Sequence, residues 1–189
     1  MLKLFILFLF VNYAVLAQIH TKNQKFVEVE AGALDGLSFG KADNSGRWLN
    51  LIIGKYGSQG VFFSLSAAYS EKFYKPNVQL LLTNQLFFLN GIVGRGISFI
   101  PKKKVFLNIE VGPSFGYELI NKGDYLIDSD LEIVNRSKIL VGGIFKTNLE
   151  FLLGVKFSVL AKTGLVWFPT SSVQNTHLYT GLGLRYIYF

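Results

Sequence analysis

The sequence predicts an all-β fold: an eight-stranded antiparallel up-and-down transmembrane β-barrel of the outer-membrane type, preceded by an N-terminal signal peptide. Three observations lead there. Long stretches alternate apolar residues with polar or small ones at a period of two. The longest apolar run, interrupted only by Asn12, sits at the N-terminus and is too short for a membrane-spanning helix, which takes roughly 20 residues. The chain is also 50% hydrophobic, with 18 Phe, 9 Tyr and 19 Gly but four Pro, which suits strand-rich walls and excludes disorder.

The leader comes first. Met1-Leu2-Lys3 is a basic start, Leu4 to Leu16 is apolar or aromatic apart from Asn12, and Val15-Leu16-Ala17 precedes Gln18. This pattern predicts export and cleavage after Ala17, dividing the chain into a signal peptide, 1–17, and a barrel domain, 18–189. The chain has no cysteine, which excludes a lipidated N-terminus and disulfides even though export leads to an oxidising compartment.

The strands follow in order. About 25–34 sets Val27, Val29, Ala31 and Ala33 against Glu28 and Glu30. The next three, about 47–56, 61–74 and 85–100, alternate less regularly. From Lys104 to Glu118, Leu107, Ile109, Val111, Pro113, Phe115 and Tyr117 oppose Asn108, Glu110, Gly112, Ser114, Gly116 and Glu118. From 139 to 151, Ile139, Val141, Phe145, Leu149 and Phe151 oppose Gly142, Lys146, Asn148 and Glu150. Val155 to Trp167 sets Val155, Phe157, Val159, Ala161 and Leu165 against Lys156, Ser158, Lys162 and Gly164. The last run sets Leu178, Leu182, Leu184, Tyr186 and Tyr188 against His177, Gly181, Gly183 and Arg185. Connections at 57–60, 101–103 and 152–154 are short, while 35–46, 75–84, 119–137 and 169–176 are longer and more polar. An even strand number puts both termini on the side of the short turns.

A soluble barrel would turn the apolar parity inward; an outer-membrane barrel turns it toward lipid. Run length favours the membrane, because soluble strands average about 5–6 residues and a tilted bilayer-spanning strand needs about 9–11. Aromatic residues at strand ends (Tyr117, Phe151, Trp167, Tyr186, Tyr188) supply interfacial girdles. The opposite parity carries Glu28, Glu30, Glu110, Lys146, Glu150, Lys156, Lys162 and Arg185, expected as a paired charge network in the lumen, with Glu28 and Glu30 near Arg185 once the first strand meets the last. Gly183 to Phe189 has the aromatic, alternating character of a terminal strand signal for outer-membrane assembly, although parity ends at Tyr188 and leaves Phe189 as one residue extra.

Catalytic groups are scarce. His20 and His177 are the two histidines, too few and too far apart for a convincing metal site. His177 near Ser171 and Ser172 imitates a hydrolase pair, but no nucleophile motif surrounds those serines, and a polar rim is the expectation. Gly91, Gly94 and Gly96 do not have the order of a dinucleotide fingerprint and are expected to relieve crowding in a curved strand. Asp124, Asp128, Asp130 and Glu132 cluster in the longest loop, with Ile133 where a calcium loop needs glycine, so a solvated acidic loop is expected. No cofactor is called for. Lys102-Lys103-Lys104 is expected as a basic periplasmic turn, facing a partner or anionic headgroups, or charged merely to stay out of hydrocarbon. The formal charge is +7, yet charged residues are 16% of the chain and show no dense basic patch, so direct nucleic-acid binding is not expected.

Gly116-Tyr117-Glu118-Leu119-Ile120-Asn121-Lys122-Gly123, the acidic loop after it, Ile139-Leu140-Val141-Gly142-Gly143, Glu150, the strand ending in Trp167 and Gly181 to Tyr186 together resemble the conjugal transfer protein TraO family of Bacteroidetes conjugative transposons. The resemblance lies mainly in 112–189. It implies a non-enzymatic outer-membrane component of a DNA-transfer apparatus, bedded in outer-membrane lipid and touching protein partners of that apparatus. The alternatives are a free-standing small barrel for adhesion, envelope integrity or small-solute passage, and a lipid-modifying enzyme.

Overall fold

The computed structural model describes residues 22–36, 44–75, 82–98, 104–123, 126–128, 131–132 and 137–189. The expected leader and Lys102 and Lys103 lie outside them. In chain order the strands are β1 (Lys25–Leu34), β2 (Gly46–Tyr56), β3 (Val61–Tyr74), β4 (Leu82–Ser98), β5 (Val105–Ile120), β6 (Leu126–Asp128), β7 (Leu131–Glu132), β8 (Ser137–Leu152), β9 (Phe157–Trp167) and β10 (Thr176–Tyr188). All but β6 and β7 form one closed antiparallel barrel in up-and-down order, with β10 returning to β1. β6 and β7 pair as a small hairpin inside the long connection between β5 and β8, a feature the alternation did not announce.

The period-two pattern sorts side chains as an outer-membrane wall requires. Outward Leu65 and Leu182 are 63% and 64% exposed, while inward Glu28 and Glu30 are fully buried at 0%. That inversion of the usual burial rule needs an apolar surround. Among the described residues no helix is long and apolar enough to cross a membrane, so the apolar surface belongs to strands. Tyr117, Phe151, Trp167 and Tyr186 all stand on the outer face near strand ends. Phe189 lies past the end of β10 and is exposed.

The lumen is packed in layers. Toward the short turns, Phe26, Ile52, Tyr56, Phe62 and Ile187 form one buried cluster, with the Phe26 ring 5.1 Å from Tyr56 and 5.9 Å from Phe62. Toward the long loops, Trp48, Phe88, Leu140, Val166, Phe168 and Tyr179 belong to a second. These apolar layers explain the weak alternation of β2 to β4, where Trp48, Ile52, Phe62, Leu86 and Phe88 are apolar yet point inward.

The lower cluster depends on two cross-strand pairs in which a ring lies over a glycine. Phe26 faces Gly54 across β1 and β2, and Phe62 faces Gly94 across β3 and β4. A Cβ at either glycine would come within 2.2 Å of the ring. Because each ring is hemmed in by the other and by Tyr56, it has no empty space into which to swing. Gly94→Ala should therefore lower the urea midpoint of the refolded barrel by an amount corresponding to about 1–3 kcal/mol. Gly91→Ala, whose added methyl meets Leu65 and Pro113 at an ordinary 4.0 Å, should leave it nearly unchanged. Equal midpoints for the two variants would show that the ring is not held by the wall.

Candidate functional site: a buried charge belt between two rims

Between the apolar layers lies a belt of charge. Closure pairs Glu28 of β1 directly with Arg185 of β10. The Arg185 guanidinium donates to Glu28 Oε2 at 2.7 Å, to Glu150 Oε2 at 2.8 Å and to the Tyr56 hydroxyl at 2.6 Å. Its carbon sits 4.4 Å above the centre of the Phe26 ring, so one residue ties the belt to the aromatic layer. Lys162 of β9 pairs with Glu28 and Glu30, and its Nζ is 3.8 Å from Glu110. Lys146 of β8 is 3.4 Å from Glu30.

Four carboxylates thus meet three cations. Asparagine amides answer the surplus negative charge: Asn50 donates to Glu30 at 2.8 Å, Asn148 to Glu110 at 2.6 Å and Asn108 to Glu150 at 2.8 Å. Asn108 also donates to Asn148 at 2.7 Å, joining the two halves of the belt.

Two expectations need correction. Lys156 is exposed rather than in the lumen. β8 runs to Leu152, so the turn occupies 153–156 and β9 begins at Phe157; Lys156 keeps the parity of the lumen but lies beyond its last layer, its carbonyl accepting from the Ile187 N–H at 2.7 Å. Glu30 pairs with Lys146 and Lys162, not with Arg185, which takes Glu28 and Glu150 instead. Of the basic turn, Lys104 is described: it is exposed, and its carbonyl accepts from the Leu152 N–H at 2.9 Å.

The long-loop rim is closed by the segment between β9 and β10. Phe168 turns fully inward, its ring 5.8 Å from Phe88 in a T-shaped contact. Buried Glu118 pins the same segment: it accepts from the Ser171 hydroxyl at 2.8 Å, the Ser172 N–H at 2.9 Å and the Asn84 amide at 3.1 Å. Ser171 therefore serves a carboxylate, while His177 Nδ1 lies 3.2 Å from Asp35 Oδ2. Lys72 donates to Asp35 at 2.7 Å and the Leu178 N–H does so at 2.7 Å. Burial raises the Asp35 carboxyl, but the His177, Lys72 and Leu178 hydrogen bonds and the Lys72 charge outweigh it and hold the group below its ordinary range. Among the described residues no group of His, Cys, Asp or Glu is arranged to hold a metal; Asp124 and Asp130 lie outside them.

The asparagines and Glu118 are the site residues that sequence reasoning overlooked. Asn108, Asn148 and Glu118 stood on the inward parity, but asparagine also marks turns and Glu118 sits at a strand end, so parity alone gave them no role.

A family model described as "Conjugative transposon protein TraO" matches residues 21–188. Among solved structures the barrel is similar to the attachment invasion locus protein Ail of Yersinia pestis, with TM-score 0.53 and 14% identity over 89% of this chain and 100% of that one. It is also similar to Neisserial surface protein A, with TM-score 0.57 and 13% identity over 86% and 94% of the two chains. The outer-membrane protein OprG of Pseudomonas aeruginosa gives TM-score 0.52 and 11% identity over 89% and 97%. At such identities these likenesses establish the fold. A comparison with curated proteins finds no match.

Removing one member of a buried pair leaves an uncompensated charge, at a cost of roughly 3–5 kcal/mol. Arg185→Leu should accordingly lower the temperature at which the folded barrel loses its faster gel migration. Adding Glu150→Gln, which keeps an acceptor for Asn108, should recover part of the loss. If the double variant is no better than the single one, the Arg185–Glu150 bond is not what holds the belt.

The Asp35 cluster makes a separate prediction. With the folded carboxyl held below its ordinary 3.8, its contribution is present above that value and lost as pH falls through the lower one. The Leu178 amide resonance should titrate with a midpoint below 3.8; a midpoint above it would mean that burial outweighs the donors.

Proposed function

The chain belongs to the conjugative transposon protein TraO family, and from that premise we propose that it is a non-enzymatic outer-membrane component of a conjugative DNA-transfer apparatus. The observation that carries the reading is the combination of an apolar outer wall with a lumen filled from end to end. Leu65, Leu89 and Leu182 face outward as lipid-exposed residues do, while among the described residues ion pairs and two apolar layers occupy the inside. An eight-stranded barrel has room for side chains and at most a small ligand. DNA therefore passes elsewhere in the assembly, and this subunit acts through its rims. Direct nucleic-acid contact has no part in the proposal.

The orientation follows the rule for such barrels, short turns in the periplasm and long loops at the cell surface. The long connection with β6 and β7 then faces outward, the basic turn at Lys102, Lys103 and Lys104 faces periplasmic partners, and the signal peptide, cleaved after Ala17, delivers the chain through the secretory pathway.

Deletion of the gene in a donor strain should bring transfer of the transposon to background, with recovery on complementation, and the mature chain should fractionate with the outer membrane. An epitope inserted at Ser129 should label on intact cells and one at Lys103 should not. Undiminished transfer by the deletion strain would sink the functional reading; labelling at Lys103 alone would invert the topology.

A further inference from the structure

The short-turn rim has a charge composition unlike the rest of the barrel. Lys22, Lys25, Lys55, Lys104 and Lys156 are exposed there and Arg95 is half-buried. None of the described side-chain carboxylates accompanies them: Glu28, Glu30, Glu110 and Glu150 lie in the belt, Asp35, Glu71 and Glu118 stand at the opposite rim, and Asp128 and Glu132 belong to the β6–β7 hairpin. Two of the lysines are placed against each other. Lys25 and Lys55 are direct cross-strand partners on the outward parity of β1 and β2, with Tyr188 on the other side of Lys25. Like charges directly opposite in a sheet repel, and nothing among the described residues neutralises this pair.

Above the pair, the outer wall is hollowed. A depression of about 620 Å³ begins at Lys25, Lys55 and Tyr188 and rises past Ile53 and Leu65 to Gly91 and Pro113. It adjoins a second, of about 470 Å³, which shares those upper residues and continues to Leu51, Ala67, Leu89 and Phe115. The hollow exists because of residue choice. Gly91 presents no side chain outward, and Pro113 has no N–H to offer β4: the pairing passes from Asn90 and Ser114 directly to Val93 and Val111. From Lys55 to Leu51 is four residues, about 13 Å of strand at 3.3 Å each.

A pair of unneutralised cations at the base of an apolar groove, on the wall that faces lipid, is complementary to one kind of molecule. We infer that Lys25 and Lys55 bind the phosphate of an anionic phospholipid from the periplasmic leaflet, with an acyl chain lying in the groove over Gly91 and Pro113. The lysine stems reach along the wall as their ammonium groups stay at headgroup level, and Tyr188 stands beside them at the interface. A protein docking from the periplasm would meet the turn tips and leave the groove unexplained; a lipid uses both. The site rests on the membrane-spanning reading given above.

The test uses the full mature chain refolded into phosphatidylcholine vesicles and, in parallel, released from detergent for native mass spectrometry with phosphatidylglycerol, phosphatidylcholine or glycerol 3-phosphate added. One phosphatidylglycerol per barrel should survive activation that strips phosphatidylcholine, and glycerol 3-phosphate, which has no acyl chain, should not be retained. Lys25→Gln with Lys55→Gln should weaken phosphatidylglycerol retention by roughly thirtyfold, the loss expected for two cations near a membrane surface. Since that change relieves a repulsion, the barrel should still fold and show its faster gel migration. Gly91→Leu, which keeps both lysines and fills the groove, should weaken retention as well; its Cβ has room, the nearest atoms being at 4.0 Å. Equal retention of the two lipids, or undiminished retention by the lysine variant, would overturn the proposal. Retention of glycerol 3-phosphate, or indifference to Gly91→Leu, would overturn the acyl groove. A chain that enters no vesicle would overturn the membrane reading itself, a result distinct from insertion without lipid preference.

Discussion

Arg185 and Glu28 meet where the last strand closes on the first, and the rest of the barrel depends on that meeting. A strand's side chains change face at every residue, so a slip of β10 by one position against β1 would turn Arg185 outward while Glu28 stayed in the lumen. A cation turned to the lipid face costs up to about 2–4 kcal/mol, the figure at the bilayer midplane, and less toward the interface, and the carboxylates left inside would lose their partner as well. The belt therefore sets the register of closure more firmly than backbone hydrogen bonds can, since those bonds form equally well in either register. Lys162, reaching Glu28 and Glu30 from β9, extends the same constraint to the neighbouring strand.

The belt lies between two apolar layers. The aromatic layer around Phe26, Tyr56 and Phe62 packs on its short-turn side, and Trp48, Phe88, Phe168 and Tyr179 pack on its long-loop side. Each rim is thereby isolated from the other by about the whole height of the lumen. The long-loop rim has its own polar anchorage: Glu118 fastens the β9–β10 segment to β5, and Asp35, just after β1, holds the start of β10. The described lumen thus places two differently built rims at fixed positions on either side of one buried charge belt.

The strands whose inward face is polar were legible in sequence, and those whose inward face is apolar were legible only in outline. From 104 to 118 the inward residues include Asn108, Glu110, Ser114 and Glu118, with Phe106 the one buried large apolar side chain among them, and alternation stands out. In β4, Leu86, Phe87, Phe88 and Leu89 are apolar on both faces because Leu86 and Phe88 belong to the inner cluster, so parity is silent there. Lys156 shows a different limit: parity says which face a residue takes but not whether the strand has already ended. Nor could it say that Glu30 would answer to Lys162 rather than to Arg185, because inward residues that meet across the lumen come from strands that are not neighbours in register. The glycines over which Phe26 and Phe62 lie, Gly54 and Gly94, read in sequence only as small residues; their need is set by a ring from the adjacent strand.

Net charge illustrates how much a composition hides. A formal charge of +7 suggests a basic protein seeking an acidic partner everywhere on its surface. Folding divides it into three unlike regions. The belt spends its cations on its own carboxylates and presents none of them to solvent. The long-loop rim carries both signs, with Lys72 paired to Asp35 and Arg47 to Glu71. The excess that remains is concentrated at the short-turn rim, where the described residues offer lysines and Arg95 with no side-chain carboxylate between them. Electrostatic attraction by this barrel is therefore directional: it acts at one edge of the membrane-facing wall, within a Debye length of about 8 Å at physiological ionic strength, and so selects what lies beside that edge rather than what diffuses past the loops.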